Sequence, residues 1–135
     1  MQLDNLSQLL PDAFAGWKLV TAQVSMNATG DATILGIPSG LYSIRKIRVR
    51  SPSASMTGAA LGVWTGASQT GTNIVANTTL SNLSATATYQ ELTLTSAANS
   101  TLFSFPTQYY INVGTASTGN TLYIDIYGDN VTGQM

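Results

Sequence analysis

The sequence predicts an all-β fold, a single antiparallel β-sandwich preceded by a short N-terminal arm. From residue 17 onward, short runs rich in Val, Ile, Thr and Tyr alternate with clusters of Gly, Ser, Asn and Pro, a pattern typical of strands and turns. Several runs alternate apolar and polar residues, so each such strand has one buried and one solvated face. No segment resembles a crossover helix, which argues against a parallel sheet.

Residues 1–16 differ in character and form the predicted arm. Four apolar residues recur there at helical spacing: Leu3, Leu6, Leu9 and Leu10. Pro11 keeps the helix short, and a short isolated helix is marginal in water unless its apolar stripe is docked. Both the protein's own sandwich and the surface of a partner remain open as docking places. The sandwich domain is expected to span residues 17–135.

Eight or nine strands are predicted in the sandwich. They cover residues 18–24, 31–37, 41–50, 59–65, 73–80, 88–95, 102–104, 109–113 and 121–127. In the third strand the apolar parity slips between Ile44 and Ile47, which predicts a β-bulge. This many antiparallel strands in one domain favours a jelly roll or a related sandwich. Strand parity selects a core that includes Leu92, Leu94, Ile111, Val113, Leu122, Ile124 and Ile126.

Charged residues make up only 8% of the chain, against about 25% in ordinary soluble domains. Low charge weakens the repulsion between monomers, so it favours a homo-oligomer or a surface covered by partners. A Thr- and Ser-rich β-protein without partners has a similar composition. Five basic residues and a net charge of −1 argue against general nucleic-acid binding. No apolar segment is long enough to predict a membrane span.

The side chains needed for most catalytic sites are missing. Histidine and cysteine are both absent, which excludes Ser-His-Asp triads and the usual zinc sites. Glu91 and Asp125 could pair as glycosidase carboxylates, but both lie on polar parities, where a solvated surface acid is favoured. Asp125, Asp129 and Asn130 could bind calcium, but a solvated turn is favoured there too. The sequence therefore predicts no enzyme activity, no cofactor and no metal.

Four of the five basic residues fall on one predicted strand, namely Arg45, Lys46, Arg48 and Arg50. One interpretation is an edge strand that charge protects against uncontrolled pairing. Contact with an acidic patch on a protein partner is the other leading interpretation. Nucleic acid is disfavoured because aromatic residues are not interleaved with the basic ones.

Trp64 is a further candidate for partner binding. Leu61 and Val63 have core parity, so Trp64 is expected to face outward, where an exposed Trp is a frequent interface hot spot. Core packing remains open as the alternative. The predicted partner-binding residues are thus Leu3, Leu6, Leu9, Leu10, Arg45, Lys46, Arg48, Arg50 and Trp64.

Three stretches carry a resemblance to a known type of protein: GDATILGIPSGLY at 30–42, IRKIRVRSP at 44–52 and LYIDIYG at 122–128. Taken in order, they resemble the small jelly-roll capsid cement, or decoration, proteins of bacteriophages. The resemblance implies a virion protein made in the host cytoplasm and carried on the capsid exterior. There it would form homodimers or homotrimers and bridge neighbouring subunits of the major capsid protein.

A carbohydrate- or receptor-binding module of a phage tail is the alternative function. Tyr110, Tyr123 and Tyr127 lie on polar parities, where coplanar rings on one sheet face could form a sugar platform. Tyrosines on a partly covered sheet face explain the same pattern without a sugar.

Overall fold

The structure is a computed structural model that describes residues 17–36, 41–100, 102–104 and 108–130. These residues form nine strands and one short helix. The elements are β1 (Trp17–Ser25), β2 (Gly30–Gly36), β3 (Leu41–Arg50), β4 (Ala60–Gly66), β5 (Thr70–Thr79), β6 (Tyr89–Leu92), α1 (Ser96–Ser100), β7 (Leu102–Ser104), β8 (Gln108–Thr115) and β9 (Thr121–Asn130).

The strands form two antiparallel sheets packed face to face. Sheet 1 has the order β1-β9-β3-β6, with β7 also pairing with β3, and sheet 2 has the order β2-β8-β4-β5. The chain crosses repeatedly between the sheets, and its first described strand pairs with its last. This interleaved order is that of a jelly roll. The predicted all-β sandwich is therefore confirmed.

The predicted strands agree with the observed ones most closely where alternation is clear. Both ends of β3 and β7 are as predicted, but β6 ends at Leu92 rather than at residue 95. The reason is Thr95, whose backbone N–H donates to the carbonyl of Ile74 and whose hydroxyl donates to the carbonyl of Asn73. The same hydroxyl accepts from the backbone N–H of Ala98, the N-cap contact that starts α1. The sequence did not predict this helix.

The predicted bulge in β3 is confirmed. Its register against β9 shifts between Ile44 and Lys46. Beside the shift lies Gly128 of β9, where an added Cβ would overlap the Ser43 carbonyl oxygen and lie 2.8 Å from Cδ1 of Leu19. Only a residue without a side chain permits this close approach of the two strands.

The core between the sheets contains the residues that parity selects. Leu92, Ile111, Val113, Leu122, Ile124 and Ile126 are all buried. Leu94 packs against the core but is only partly buried, because the chain has already left sheet 1 after Leu92. Inward-pointing apolar residues thus fix which polar residues lie on the outer face of each sheet.

Candidate binding face

The outer face of sheet 1 collects most of the chain's charged residues. On β3, Ile47 and Val49 are fully buried, so the residues between and beside them point away from the core. The same alternation on β9 turns its odd-numbered residues outward. We call this surface the basic face, and it comprises Lys18, Thr21, Gln23, Lys46, Arg48, Arg50, Tyr89, Glu91, Tyr123, Asp125 and Tyr127.

Strand register arranges these side chains in three rows across the sheet, because directly opposed residues share a face. The rows are Lys18–Tyr127–Lys46, Thr21–Asp125–Arg48–Glu91 and Gln23–Tyr123–Arg50–Tyr89. Aromatic rings and cations therefore alternate across the strands in the first and third rows, whereas the middle row has no aromatic ring.

Asp125 lies at the centre of the basic face and is fully buried. It accepts hydrogen bonds from the Thr21 hydroxyl at 2.6 Å, from Arg50 Nε at 2.7 Å and Nη2 at 3.3 Å, and from Arg48 Nη2 at 3.3 Å. The prediction of a solvated surface acid is wrong here. Parity placed Asp125 on the outer face correctly, but the side chains of its neighbours exclude water from it.

The electrostatics of Asp125 follow from these contacts. Burial raises the pKa of its carboxyl, but the hydrogen bonds from Arg50, Thr21 and Arg48 outweigh burial and hold the pKa below its ordinary value. The same pairing raises the pKa of Arg50. A buried carboxylate with a lowered pKa and four donors is a poor general acid, so Asp125 does not fit the acid role in a glycosidase pair with the exposed Glu91.

Tyrosine rings flank the cations of the basic face. Lys46 Nζ lies 4.9 Å from the Tyr127 ring centroid, and the Arg50 guanidinium lies 5.2 Å from that of Tyr123. Arg48 lies 5.6 Å from the Tyr127 ring and 5.7 Å from that of Tyr89, and its Nη2 donates to the Tyr127 hydroxyl at 2.8 Å. These distances suit cation–π contacts, which restrict the motion of long side chains.

Arg45 differs from the other three basic residues of its strand. It lies at the bulge, and its Nη1 is 2.6 Å from Asp129 Oδ2, with 44% and 36% of the two side chains exposed. An ion pair this exposed is screened by water and contributes little to stability. Arg45 and Asp129 therefore lie beside the basic face, outside its rows.

The edge-strand interpretation of the basic strand is wrong. In the described structure β3 lies between β9 on one side and β6 and β7 on the other, so it has no free edge for charge to protect.

The reason for excluding nucleic acid is also wrong in part. Tyr89, Tyr123 and Tyr127 come from neighbouring strands and are interleaved with the cations, although the basic strand alone lacks them.

The proposed sugar platform does not form from the three predicted tyrosines. Tyr123 and Tyr127 lie on the basic face of sheet 1, whereas Tyr110 lies on β8 in sheet 2. The tyrosine that sequence reasoning missed is Tyr89, which is 62% exposed and lies opposite Arg50. Strand parity was the signal that could have identified it: Tyr89 has the opposite parity to the buried Leu92, so it is expected on the outer face.

Trp64 lies outside the core, on the outer face of sheet 2. Its side chain is partly exposed, and a Cβ added to Gly62 would come within 2.5 Å of the indole ring. The ring therefore lies over the backbone of Gly62. In register, Trp64 is opposite Tyr110, which in turn is opposite Ile34.

The remaining predictions concern the arm and metals. Leu3, Leu6, Leu9 and Leu10 lie outside the described residues, so their docking remains a prediction.

Within the described ranges, no three His, Cys, Asp or Glu residues lie together as a metal site would require. Asp125 and Asp129 are instead engaged by arginines, which leaves the calcium hypothesis without support.

Comparisons with protein-family models, curated proteins and solved structures found no match to this chain. No helix among the described residues is long and apolar enough to cross a membrane.

Proposed function

We propose that this protein is a non-enzymatic structural protein of a phage virion. It binds the capsid exterior through the basic face and cements neighbouring subunits of the major capsid protein. The observation that carries the proposal is the set of tyrosines and cations held in rows around Asp125. The sequence resemblance supplies the capsid as the partner, because a jelly roll by itself hosts many functions.

Composition supports a protein partner for this face. Tyr and Arg are enriched among the residues that dominate protein interfaces. Tyr89 and Tyr123 are 62% and 38% exposed, so each has apolar area left to bury. Arg48 and Arg50 are already held by Asp125, so a partner would order few additional side chains and binding would lose less entropy.

Charge supports an acidic partner. All five basic residues of the chain lie on or beside the basic face, together with the carboxylates of Glu91, Asp125 and Asp129. The local excess is two positive charges on a chain whose net charge is −1. Such an asymmetry steers association with a negative surface and sets orientation.

The proposal predicts that Tyr89→Ala combined with Tyr123→Ala weakens binding to shells. The test is co-sedimentation with purified capsids of the virus that encodes the protein. We expect the dissociation constant to rise roughly 30-fold, the effect of removing a hot spot of about 2 kcal/mol. Thr29→Ala, at an exposed position between β1 and β2, is the control and should bind like the parent. Thermal unfolding by circular dichroism checks that each variant is folded.

Several results would contradict the proposal. If the parent protein does not bind shells, the capsid is not its partner. If a folded double variant binds shells as tightly as the parent, the basic face is not the binding surface. Binding of a neutral oligosaccharide, lost in the same variant, would favour the tail-module alternative. Binding of a single-stranded oligonucleotide would make the face a nucleic-acid surface.

Salt dependence is a separate prediction. Lys18→Gln combined with Lys46→Gln leaves the Asp125 contacts intact and removes two cations from one row. We expect weaker shell binding at low salt and little difference from the parent at about 1 M, where the Debye length is about 3 Å. Binding curves over a salt series measure this. Equal slopes for parent and variant would exclude an acidic partner.

A further inference from the structure

Arg48 and Arg50 contact the same carboxylate, but not equally. Arg50 approaches Asp125 with two nitrogens, Nε at 2.7 Å from Oδ2 and Nη2 at 3.3 Å from Oδ1. This is the two-pronged geometry of a strong arginine–carboxylate pair. Arg48 reaches Asp125 with Nη2 alone, at 3.3 Å, and it contacts Oδ2, the oxygen that Arg50 Nε also contacts. Arg50 therefore holds Asp125 more firmly than Arg48 does.

The hydrogen bonding of Arg48 is also incomplete. Its Nε is buried, and among the described residues it has no hydrogen-bond partner. A buried N–H without an acceptor costs free energy, and such groups are rare in folded proteins. Arg50 uses its own Nε for its shortest contact with Asp125. Arg48 thus keeps a donor for which the described part of the chain supplies no acceptor.

The electrostatics of Asp125 agree with this difference. The hydrogen bond from Arg50 contributes most to lowering the pKa of Asp125, and the hydrogen bond from Arg48 contributes less. Asp125 would keep its contacts with Arg50 and Thr21 if Arg48 turned away, so its buried charge would remain paired. The Arg48 side chain is 31% exposed and can therefore turn toward solvent.

We infer that Arg48 binds a carboxylate of the partner by exchanging Asp125 for an Asp or Glu side chain on the partner's surface, whereas Arg50 stays on Asp125. This assignment, which rests on the proposed function for its acidic partner, divides two arginines that the sequence treats alike. In the exchange Arg48 gives up one long hydrogen bond. It then presents Nε and one Nη together to the incoming carboxylate, which is the favoured geometry for such a pair.

The tyrosines around Arg48 favour the exchange. Its guanidinium lies 5.7 Å from the Tyr89 ring centroid and 5.6 Å from that of Tyr127. These contacts restrict the side chain before binding, so less entropy is lost when a partner orders it. Tyr89 is 62% exposed, and its ring can shield the new ion pair from water, which strengthens the pair. Glu91 is opposite Arg48 in register but exposed, so water screens its repulsion of the incoming carboxylate.

Arg48→Lys and Arg50→Lys are a matched pair of test variants, because each keeps the positive charge and removes the two-pronged guanidinium. Co-sedimentation with purified shells and urea unfolding are measured for both. For Arg48→Lys we expect an unchanged unfolding midpoint and a dissociation constant that rises roughly tenfold, the effect of one lost charge-assisted hydrogen bond. For Arg50→Lys we expect a lower unfolding midpoint and, for the folded protein, an unchanged dissociation constant.

A measurement without shells separates this inference from the proposed function. Heteronuclear NMR follows the Nε–H signals of the arginines while hexaglutamate is added to the parent protein. We expect the Arg48 signal to move and the Arg50 signal to stay, and uncharged hexaserine should move neither. If shells do not bind but hexaglutamate moves the Arg48 signal, the capsid partner is wrong and the exchange is supported. If the Arg50 signal moves as far as that of Arg48, or if neither moves, the exchange is wrong. A folded Arg50→Lys variant that loses as much shell binding as Arg48→Lys would also contradict it.

Discussion

Replacing Asp125 by alanine is expected to lower the free energy of unfolding by about 3 kcal/mol, the lower end of the range for removing one partner of a buried ion pair. The Asp125 side chain is fully buried, whereas those of Arg48 and Arg50 are each 31% exposed. Without Asp125 the two guanidinium groups lose their shared counter-charge. Their partial exposure lets them turn toward water, which limits the loss. Urea unfolding at neutral pH measures the effect.

Asp129→Ala provides a matched control on the same strand. It also removes a carboxylate that pairs with an arginine, but this pair is exposed. We expect a loss within about 0.5 kcal/mol. Equal losses in the two variants would show that burial gives Asp125 no special role.

The contribution of Asp125 should also depend on pH. Its folded pKa lies below the ordinary value of 3.8, so the unfolded chain takes up the proton first as pH falls. The stabilisation is complete above the unfolded pKa and is lost as pH falls through the folded pKa. We therefore expect the gap in unfolding free energy between the parent and Asp125→Asn to be constant near neutral pH and to shrink below about pH 4. A gap that does not change in acid would contradict this.

Gly128→Ala is expected to cost about 3 kcal/mol, the upper end of the usual range for overpacking. The new methyl group would overlap the Ser43 carbonyl oxygen. Because that oxygen belongs to the backbone, no side-chain rotation relieves the clash, and β3 and β9 must separate beside the bulge. Urea unfolding measures the loss.

Gly58→Ala is the control for this substitution, since a Cβ there would have nothing within 4 Å. It should change stability by less than about 0.5 kcal/mol, as surface substitutions usually do. A Gly128→Ala variant as stable as the parent would mean that the two strands separate without cost.

Local alternation was enough to predict most of the fold. The period of two in residues 121–127 is a property of a single strand, and it predicted β9 and its inward face. The parity slip before Ile47 is likewise local, and it predicted the bulge in β3 and the inward face of that strand. The short helix α1 depends on contacts between Thr95 and β5. The five residues of α1 contain no sequence signal that predicts a helix.

The candidate site was harder to predict because it depends on register between distant strands. Parity shows on which side of its strand Tyr110 or Tyr123 lies, but not to which sheet the strand belongs. The burial of Asp125 arises from Thr21 and Arg50, which are 104 and 75 residues away in sequence. Neither contact leaves a local signal, so an alternating strand predicted a solvated acid where the structure has a buried one.

The central position of β9 also has a consequence for how the protein folds during synthesis. β9 lies between β1 and β3, so sheet 1 remains in two parts until β9 is made. At about 5 to 20 residues per second, the ribosome needs several seconds to cover the 104 residues from Thr21 to Asp125. Meanwhile the strand edges that β9 later covers are unpaired and open to wrong partners. Folding of sheet 1 therefore has to follow translation of β9, and its long-range pairings make that step slow.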